Sequence, residues 1–285
     1  MSAPVIAIAT CENNELAAAA DEPLLEAFRG LGLAAARVAW DDEGADWAAF
    51  DGVLVRSTWD WHLEPERYKA WLRTLESRTR VWNPPQAIAW SLDKRCLIEL
   101  SHAGVRTVPS VAIAGVSELG AFQSPWRDWV IKPALGATAY RTSRIRSREE
   151  REAWRQEHAG FAGALIAQPF QPTVLERGEV SLVYIGGTFS HAVRKVARVG
   201  DFRVQAEFGG TAESHRATDA ELELAERCVR HVAQPLAFAR IDLLHDAAGV
   251  PMVIECELAE PELFFGLCPD SAARLARFCA ELTAE

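Results

Sequence analysis

The residues Arg240-Ile-Asp242 and Glu255-Cys-Glu257 decide how this sequence is read. They lie in two apolar runs, 236–244 and 250–257, separated by the turn-forming Asp246-Ala-Ala-Gly249, so the pattern predicts a β-hairpin. Residues two apart on a strand face the same way, and a hairpin lays its two strands side by side. Asp242, Glu255 and Glu257 then converge on one face. Three like charges among Phe238, Ile241, Leu243, Val253 and Ile254 repel one another unless cations hold them. Hard oxygen ligands in that number suit Mg²⁺, which is often bound by a few carboxylates together with nucleotide phosphates. The same pattern also fits a solvated sheet face on which Arg240 pairs with a carboxylate.

Working outward, a second hairpin is expected at 180–195, turned by Gly186-Gly187. Lys195 ends it and precedes Gly200-Asp-Phe-Arg203 and Gly209-Gly210, a candidate lid. Of the 30 cationic residues only four are lysine (Lys69, Lys94, Lys132 and Lys195), so a lysine in an apolar stretch is conspicuous. Lys132 is one, closing the strand-like run 129–133 before the small-residue loop Leu135-Gly-Ala-Thr-Ala139. A buried ammonium needs an anionic partner, and the backbone N–H groups of such a loop can cradle phosphate oxygens. An edge lysine is the plainer reading. Lys94, in Leu92-Asp-Lys-Arg95, falls within a helix expected over 87–103. Further strands are expected at 107–114 and 165–170, and helices at 147–158, 219–232 and 272–283.

The first 85 residues read differently. Short apolar runs at 4–10, 34–40 and 51–56, with a helical pattern over 15–31 stopped by Gly32, predict a βαβ lobe on a parallel sheet. Ser57-Thr-Trp-Asp-Trp-His62 succeeds the third run, where open α/β sheets place their ligand loops. Trp82-Asn-Pro-Pro85 separates this lobe from the remainder of the chain. At 285 residues, with 49% apolar and 25% charged content, the chain is a globular one and neither disordered nor a disulfide-stapled mini-protein. No run approaches the roughly 20 apolar residues of a membrane span, and residues 1–10 lack a basic leader, so a cytoplasmic protein is expected. Six cysteines without C-x-x-C spacing read as reduced core thiols. A net charge of −10 disfavours nucleic-acid binding. No Gly-Lys pair, G-x-G-x-x-G, H-E-x-x-H or G-x-S-x-G occurs, which removes the common nucleotide-loop and hydrolase signatures.

The order of the pieces says more than any one of them. Asp93-Lys94, Val130-Ile-Lys-Pro133 with its small-residue loop, Gln168-Pro-Phe170, Gly178-Glu-Val-Ser-Leu182, Lys195 before a lid, Arg240-Ile-Asp242 and Glu255-x-Glu257 together resemble the ATP-grasp superfamily. Within it the chain looks like the glutathione-synthetase-like carboxylate–amine ligases. Arg56-Ser-Thr-Trp-Asp60, Ser190-His-Ala-Val193, Gly200-Asp-Phe-Arg-Val-Gln205 and Glu257-Leu-Ala-Glu-Pro261 also resemble the cyclo-ligases of D-cycloserine biosynthesis and their relatives.

The resemblance implies an α/β fold with α+β lobes: an N-terminal parallel-sheet lobe (1–85) and two lobes that clasp ATP (86–168 and 169–285). It implies that Lys94, Lys132 and Lys195 meet the ATP phosphates under a cover formed by Gly136, Ala137 and Thr138. Gln168, Pro169, Phe170 and Gln171 would meet adenine, and Glu179 the ribose. Asp242, Glu255 and Glu257 would hold two Mg²⁺, for which Mn²⁺ can substitute. Arg240 and Lys195, joined by Arg203 on the lid, are the expected catalytic cations. Arg56, Ser57, Thr58 and Asp60 are the expected substrate ligands. Two departures from the family pattern stand out: Glu257 occupies a position where asparagine is common, and the phosphate loop is poor in glycine. The implied reaction joins a small carboxylate to an amine, forming an amide or lactam with ADP and phosphate. A homodimer is compatible with this reading. A small-molecule kinase and a non-catalytic ATP-binding protein are the alternatives.

Overall fold

Three sheets organise the chain in a computed structural model that describes residues 4–12 and 14–283. Met1, Ser2 and Ala3 of the opening stretch lie outside the described residues. The first sheet is parallel throughout, in the order β2-β1-β3-β4, with β1 Val5–Thr10, β2 Ala34–Ala39, β3 Gly52–Ser57 and β4 Val81–Trp82. Its inner strands β1 and β3 are almost wholly buried, as unbroken apolar runs require when both faces are covered. Helix α1 (Glu15–Gly30) starts at Asn14, whose side chain accepts the Ala17 N–H, and α2 (Pro65–Glu76) returns the chain to β4.

The helix expected over 87–103 is two helices, α3 (Pro85–Leu92) and α4 (Cys96–His102). Asp93 leaves the helical region (φ −95°, ψ 108°), and its carboxylate accepts the Arg95 N–H at 3.0 Å, an alternative to the helical ladder. The Lys94 N–H bonds instead to Ala134 O at 2.9 Å. Although they fall in the segment 86–168, α3 and α4 bury Ala87, Cys96, Leu97 and Leu100 in the core of the third sheet.

The second sheet is antiparallel, ordered β5-β8-β6-β7: β5 Val111–Ile113, β6 Trp129–Pro133, β7 Ser143–Ile145 and β8 Leu165–Pro169. Helices α5 (Val116–Leu119) and α6 (Arg148–Glu157) back it through Leu119, Trp129, Ile131 and Trp154. The strand expected over 107–114 is shorter because its first part pairs elsewhere. Val253 accepts the Val108 N–H and donates to Arg106 O, both at 2.9 Å, which ties this stretch to the third sheet.

That sheet carries β9 (Glu179–Ile185), β10 (Thr188–Val196), β11 (Thr211–His215), β12 (Phe238–His245) and β13 (Pro251–Glu257), in the order β11-β10-β9-β12-β13 and antiparallel throughout. Both expected hairpins are there. The short α7 (Val174–Arg177) precedes β9; α8 (Asp219–Val232) and α9 (Asp270–Thr283) pack on the sheet. Leu24 and Phe28 of α1 share one core with Leu275 and Ala276 of α9, which fuses the first and third sheets. Cys11, Cys96, Cys228, Cys256 and Cys279 are buried. No described helix is long and apolar enough to cross a membrane.

Helix α8 opens with a capping box between Thr218 and Glu221. The Glu221 carboxylate also meets His215 Nε2 at the end of β11 and His245 Nε2 at the end of β12, each at 3.0 Å. Burial pushes its pKa up, but hydrogen bonds from His245, the Thr218 N–H and His215 outweigh burial and hold it at about 2, against an ordinary 4.5. A depressed carboxyl stabilises the fold above its unfolded pKa and loses that contribution as pH falls toward the folded one. On the order of 3 kcal/mol is therefore at stake at neutral pH. Urea unfolding of Glu221→Gln should show most of that loss at pH 7, and the gap to the parent should close as pH falls from 4.5 toward 2.

Candidate active site

The pairing of β12 with β13 sets Arg240 opposite Glu257 and Asp242 opposite Glu255. The period of two turns all four toward one face, where carboxylate oxygens of Asp242, Glu255 and Glu257 lie within 4.8 Å of one another. Cations alternate with them. Arg240 donates from Nη2 to Asp242 Oδ2 at 2.9 Å and to Glu257 Oε1 at 2.7 Å, and from Nε to Asp242 Oδ1 at 2.9 Å. Lys195 Nζ sits 3.2 Å from Asp242 Oδ2 and 2.5 Å from Glu179 Oε1. Glu255 Oε1 receives Lys132 at 3.2 Å and Lys94 at 3.7 Å. The Ser181 hydroxyl completes the set, donating to Asp242 Oδ1 at 2.6 Å.

Burial alone drives such carboxyls toward the neutral form. At Glu255 burial is outweighed by Lys94 and Lys132, which hold its pKa far below the usual carboxylate range. Burial of Asp242 is likewise outweighed, by Arg240 and Lys195. Glu257 goes the other way: burial, reinforced by Asp242 and Glu255, pushes it well up despite Arg240. A divalent cation relieves such crowding, and the donor set, all carboxylate oxygen, fits Mg²⁺ in kind.

Each cation arrives from a different element. The break at Asp93 turns Lys94 inward, where its Nζ also donates to Gly136 O at 2.5 Å. Lys132 ends β6, and Lys195 lies on β10 directly opposite Glu179 on β9. That approach requires Gly178 (φ +73°), because a Cβ there would stand 2.2 Å from Lys195 O.

These groups line one cavity of about 530 Å³. One end is an apolar slot of Val108, Val130, Phe170, Leu244 and Ile254, edged by Pro169, Gln171 and a Gln168 whose side chain is turned to Ser110 Oγ at 2.9 Å. Gly136, Ala137 and Thr138 line the cavity too. Their loop is poor in glycine, yet Thr138, Ala139 and Arg141 take positive φ of 47–53°, a left-handed strain that non-glycine residues rarely bear. The stretch 202–207 lines the same cavity. Its Arg203 is held by Asp201 at 2.7 Å and lies over the Phe208 ring.

The expected substrate ligands are placed otherwise. Arg56, Ser57, Thr58 and Asp60 do not line the cavity, and each makes a polar contact within the protein. Arg56, fully buried, donates from Nη1 to Pro261 O at 2.6 Å, lies 3.7 Å from Asp21 Oδ1 and stacks near Phe238 and Phe265. The Ser57 hydroxyl bonds to Asp21, Thr58 to the Tyr68 hydroxyl, and Asp60 to Trp40 Nε1. The intervening tryptophans reach the cavity instead. Trp59 Nε1 donates to Glu260 O at 2.8 Å, and Trp61 Nε1 to the Glu260 carboxylate. Glu260 is not among the ligands expected from the sequence; its signal there is a lone acid in the apolar Leu258-Ala-Glu-Pro261 just past a charged strand.

Residues 99–250 match the ATP-grasp domain of prokaryotic glutathione synthetase, and residues 6–83 match the N-terminal domain of D-cycloserine synthetase DcsG. The chain is 32% identical over 278 residues to the cycloserine biosynthesis protein DcsG of Streptomyces lavendulae, covering 91% of this chain and 92% of that one. The crystal structure of D-cycloserine synthetase DcsG superimposes with a TM-score of 0.87 at 29% identity, over 98% of this chain and 99% of the other. That of D-alanine–D-alanine ligase from Bacillus anthracis does so with a TM-score of 0.71 over 99% and 98%; at 13% identity it speaks for the fold alone.

Lys132→Met keeps the apolar stem and removes the charge beside Glu255. Calorimetry on the folded variant should show nucleotide affinity falling at least about tenfold, or about 1.4 kcal/mol. Unaltered affinity would return Lys132 to a structural role.

Proposed function

Because this chain belongs to the ATP-grasp family of ADP-forming carboxylate–amine ligases, we propose a division of labour among the residues that line this cavity. The observation that carries it is the alternation of three carboxylates with Arg240, Lys94, Lys132 and Lys195 between an apolar slot and a tryptophan-lined end. The slot suits a flat apolar ring, so adenine lies between Val130, Phe170, Leu244 and Ile254, with Gln168 to Gln171 meeting its edge through main chain. Glu179 takes the ribose. The three lysines reach the phosphates, under the cover of Gly136, Ala137 and Thr138.

A carboxylate resists an amine because its carbonyl carbon is electron-rich and oxide is a very poor leaving group. Phosphorylation removes both obstacles. A carboxylate oxygen of the acid attacks the γ-phosphorus, the bond to the β,γ-bridging oxygen breaks, and ADP leaves. The amine then attacks the acyl carbon and loses a proton, and phosphate departs from the resulting amide or lactam. In this chain Arg240 orients the carboxylate and neutralises charge on the transferring group, with Lys195 and Arg203 assisting from the lid side. Asp242, Glu255 and Glu257 would hold two Mg²⁺, or Mn²⁺ in their place, which screen the phosphate charge. The loop 134–141 and the stretch 197–210 keep water from the acyl phosphate.

Arg56, Ser57 and Thr58 enter this scheme as scaffold: they hold the wall against which the small acid binds. The ligase relatives disfavour a kinase or a pure binder. Glu255→Gln keeps volume and removes one charge; the variant should melt lower, having lost the pairing with Lys94 and Lys132, and we expect ADP formation per folded molecule to fall roughly 100-fold or more. Near-parental ADP release from a folded variant would remove Glu255 from the metal set.

A further inference from the structure

Phe170 lines the apolar end of the cavity, yet it lies one residue past the strand that carries it. Strand β8 stops at Pro169, which has no N–H to lend to a ladder, so the ring needs another anchor. That anchor comes from outside the cavity. The guanidinium of Arg144, on β7, lies over the Phe170 ring with its central carbon 3.6 Å from the ring centre. Asp128, just ahead of β6, takes this guanidinium in a two-point grip, from Nε at 2.8 Å and from Nη2 at 2.5 Å. The Asp128 carbonyl also accepts the Phe170 N–H at 3.0 Å. Asp128 thus holds Phe170 twice, its main chain directly and its ring through Arg144. Arg144 itself does not line the cavity.

Resting on the adenine slot of the reading above, we propose that Arg144 is a positioning residue for the nucleotide base: gripped by Asp128, it fixes the Phe170 ring as one wall of the slot. Arginine suits this task. Its planar guanidinium can stack flat on a ring while presenting an N–H edge to a carboxylate, which the ammonium of a lysine cannot do. The other neighbours of the ring are apolar: Val174 and Leu244 share its core, and the Phe202 ring meets it edge to face at 5.7 Å. Such contacts are non-directional and let a ring with two free torsions swing. The stacked, two-point ion pair is the contact that sets an orientation. Both partners are only partly buried, at 30% and 37% side-chain exposure, and an ion pair so placed contributes little to the stability of the fold. Its consequence falls on nucleotide affinity, through Phe170.

Calorimetry on the full chain with ATP and Mg²⁺ reads the effect without the acid or the amine. Arg144→Met keeps an apolar stem over the ring and removes the fork; the Kd for ATP should rise at least about fivefold, with Arg144→Lys in between. Asp128→Asn leaves the guanidinium in place but loosens its grip. It should weaken ATP binding in the same direction, and it carries the test if Arg144→Met does not fold. Phe170→Leu should weaken ATP at least as much as Arg144→Met does. Adding Arg144→Met to Phe170→Leu should then change the Kd by less than about twofold, because a residue that acts through the ring has nothing to act on once the ring is gone. A merely structural arginine would add its full factor. Arg146→Met, which breaks the 2.9 Å pair with Glu150 just past β7, is the control and should leave the Kd unchanged. A parental Kd in Arg144→Met beside a weakened Phe170→Leu, or additive effects in the double variant, overturns the role of Arg144 and leaves the slot reading standing. A parental Kd in Phe170→Leu overturns the slot reading itself, and the role of Arg144 with it.

Discussion

The register that places Arg240 opposite Glu257 and beside Asp242 is the constraint on which the rest of the molecule depends. Three carboxylates on one buried strand face cannot persist without countercharge, because taking an isolated anion out of water costs far more than a fold can offset. The remedy draws on the whole chain. Arg240 comes from the hairpin itself, Lys195 from the neighbouring β10, Lys132 from the end of β6 in another sheet, and Lys94 from the break between α3 and α4. Neutralising one hairpin therefore fixes the second sheet and the helix pair against the third. The cavity is what remains between them, apolar where side chains meet an aromatic ring and charged where they meet phosphate.

A second buried charge network ties the N-terminal lobe to the same place. Asp21 of α1 faces Arg37 at 3.4 Å and Arg56 at 3.7 Å, and it accepts the Ser57 hydroxyl. Burial raises its pKa and the two arginines oppose that rise. Arg56 passes the connection on to Pro261 O, just beyond the strand that carries Glu255 and Glu257. Arginine suits this task because its planar, always-charged fork can face a carboxylate and a carbonyl at once while lying against aromatic rings, here Phe238 and Phe265. The polar residues of this lobe thus shape the cavity from behind its wall.

Much of this was legible because it rests on local pattern. Alternation and turn chemistry located both hairpins, and a period of two placed Asp242, Glu255 and Glu257 together. The scarcity of lysine marked Lys94, Lys132 and Lys195, and all three line the cavity. Other elements were hidden for physical reasons. The apolar periodicity of 87–103 runs through Asp93 without interruption; the helix stops there because the Asp93 carboxylate takes the Arg95 N–H and the carbonyl of Ala134, far along the chain, takes the Lys94 N–H. The polar, exposed β11 has no apolar face to announce it and is a strand because β10 offers it an edge.

What the sequence by itself determined is therefore the set of strands and helices with strong periodicity, and the charged residues that apolar surroundings force to find partners. Only the tertiary structure decided which partner each one finds. Arg56, Ser57 and Thr58 look from the sequence like free polar groups at a strand end, while Glu260 looks like one acid among 40 acidic residues. Whether such a group faces a ligand or the protein depends on donors and acceptors as distant as Arg56 and Pro261, which pattern along the chain does not encode. Which partners a polar group finds, and whether it also lines the cavity, is a property of the packed whole.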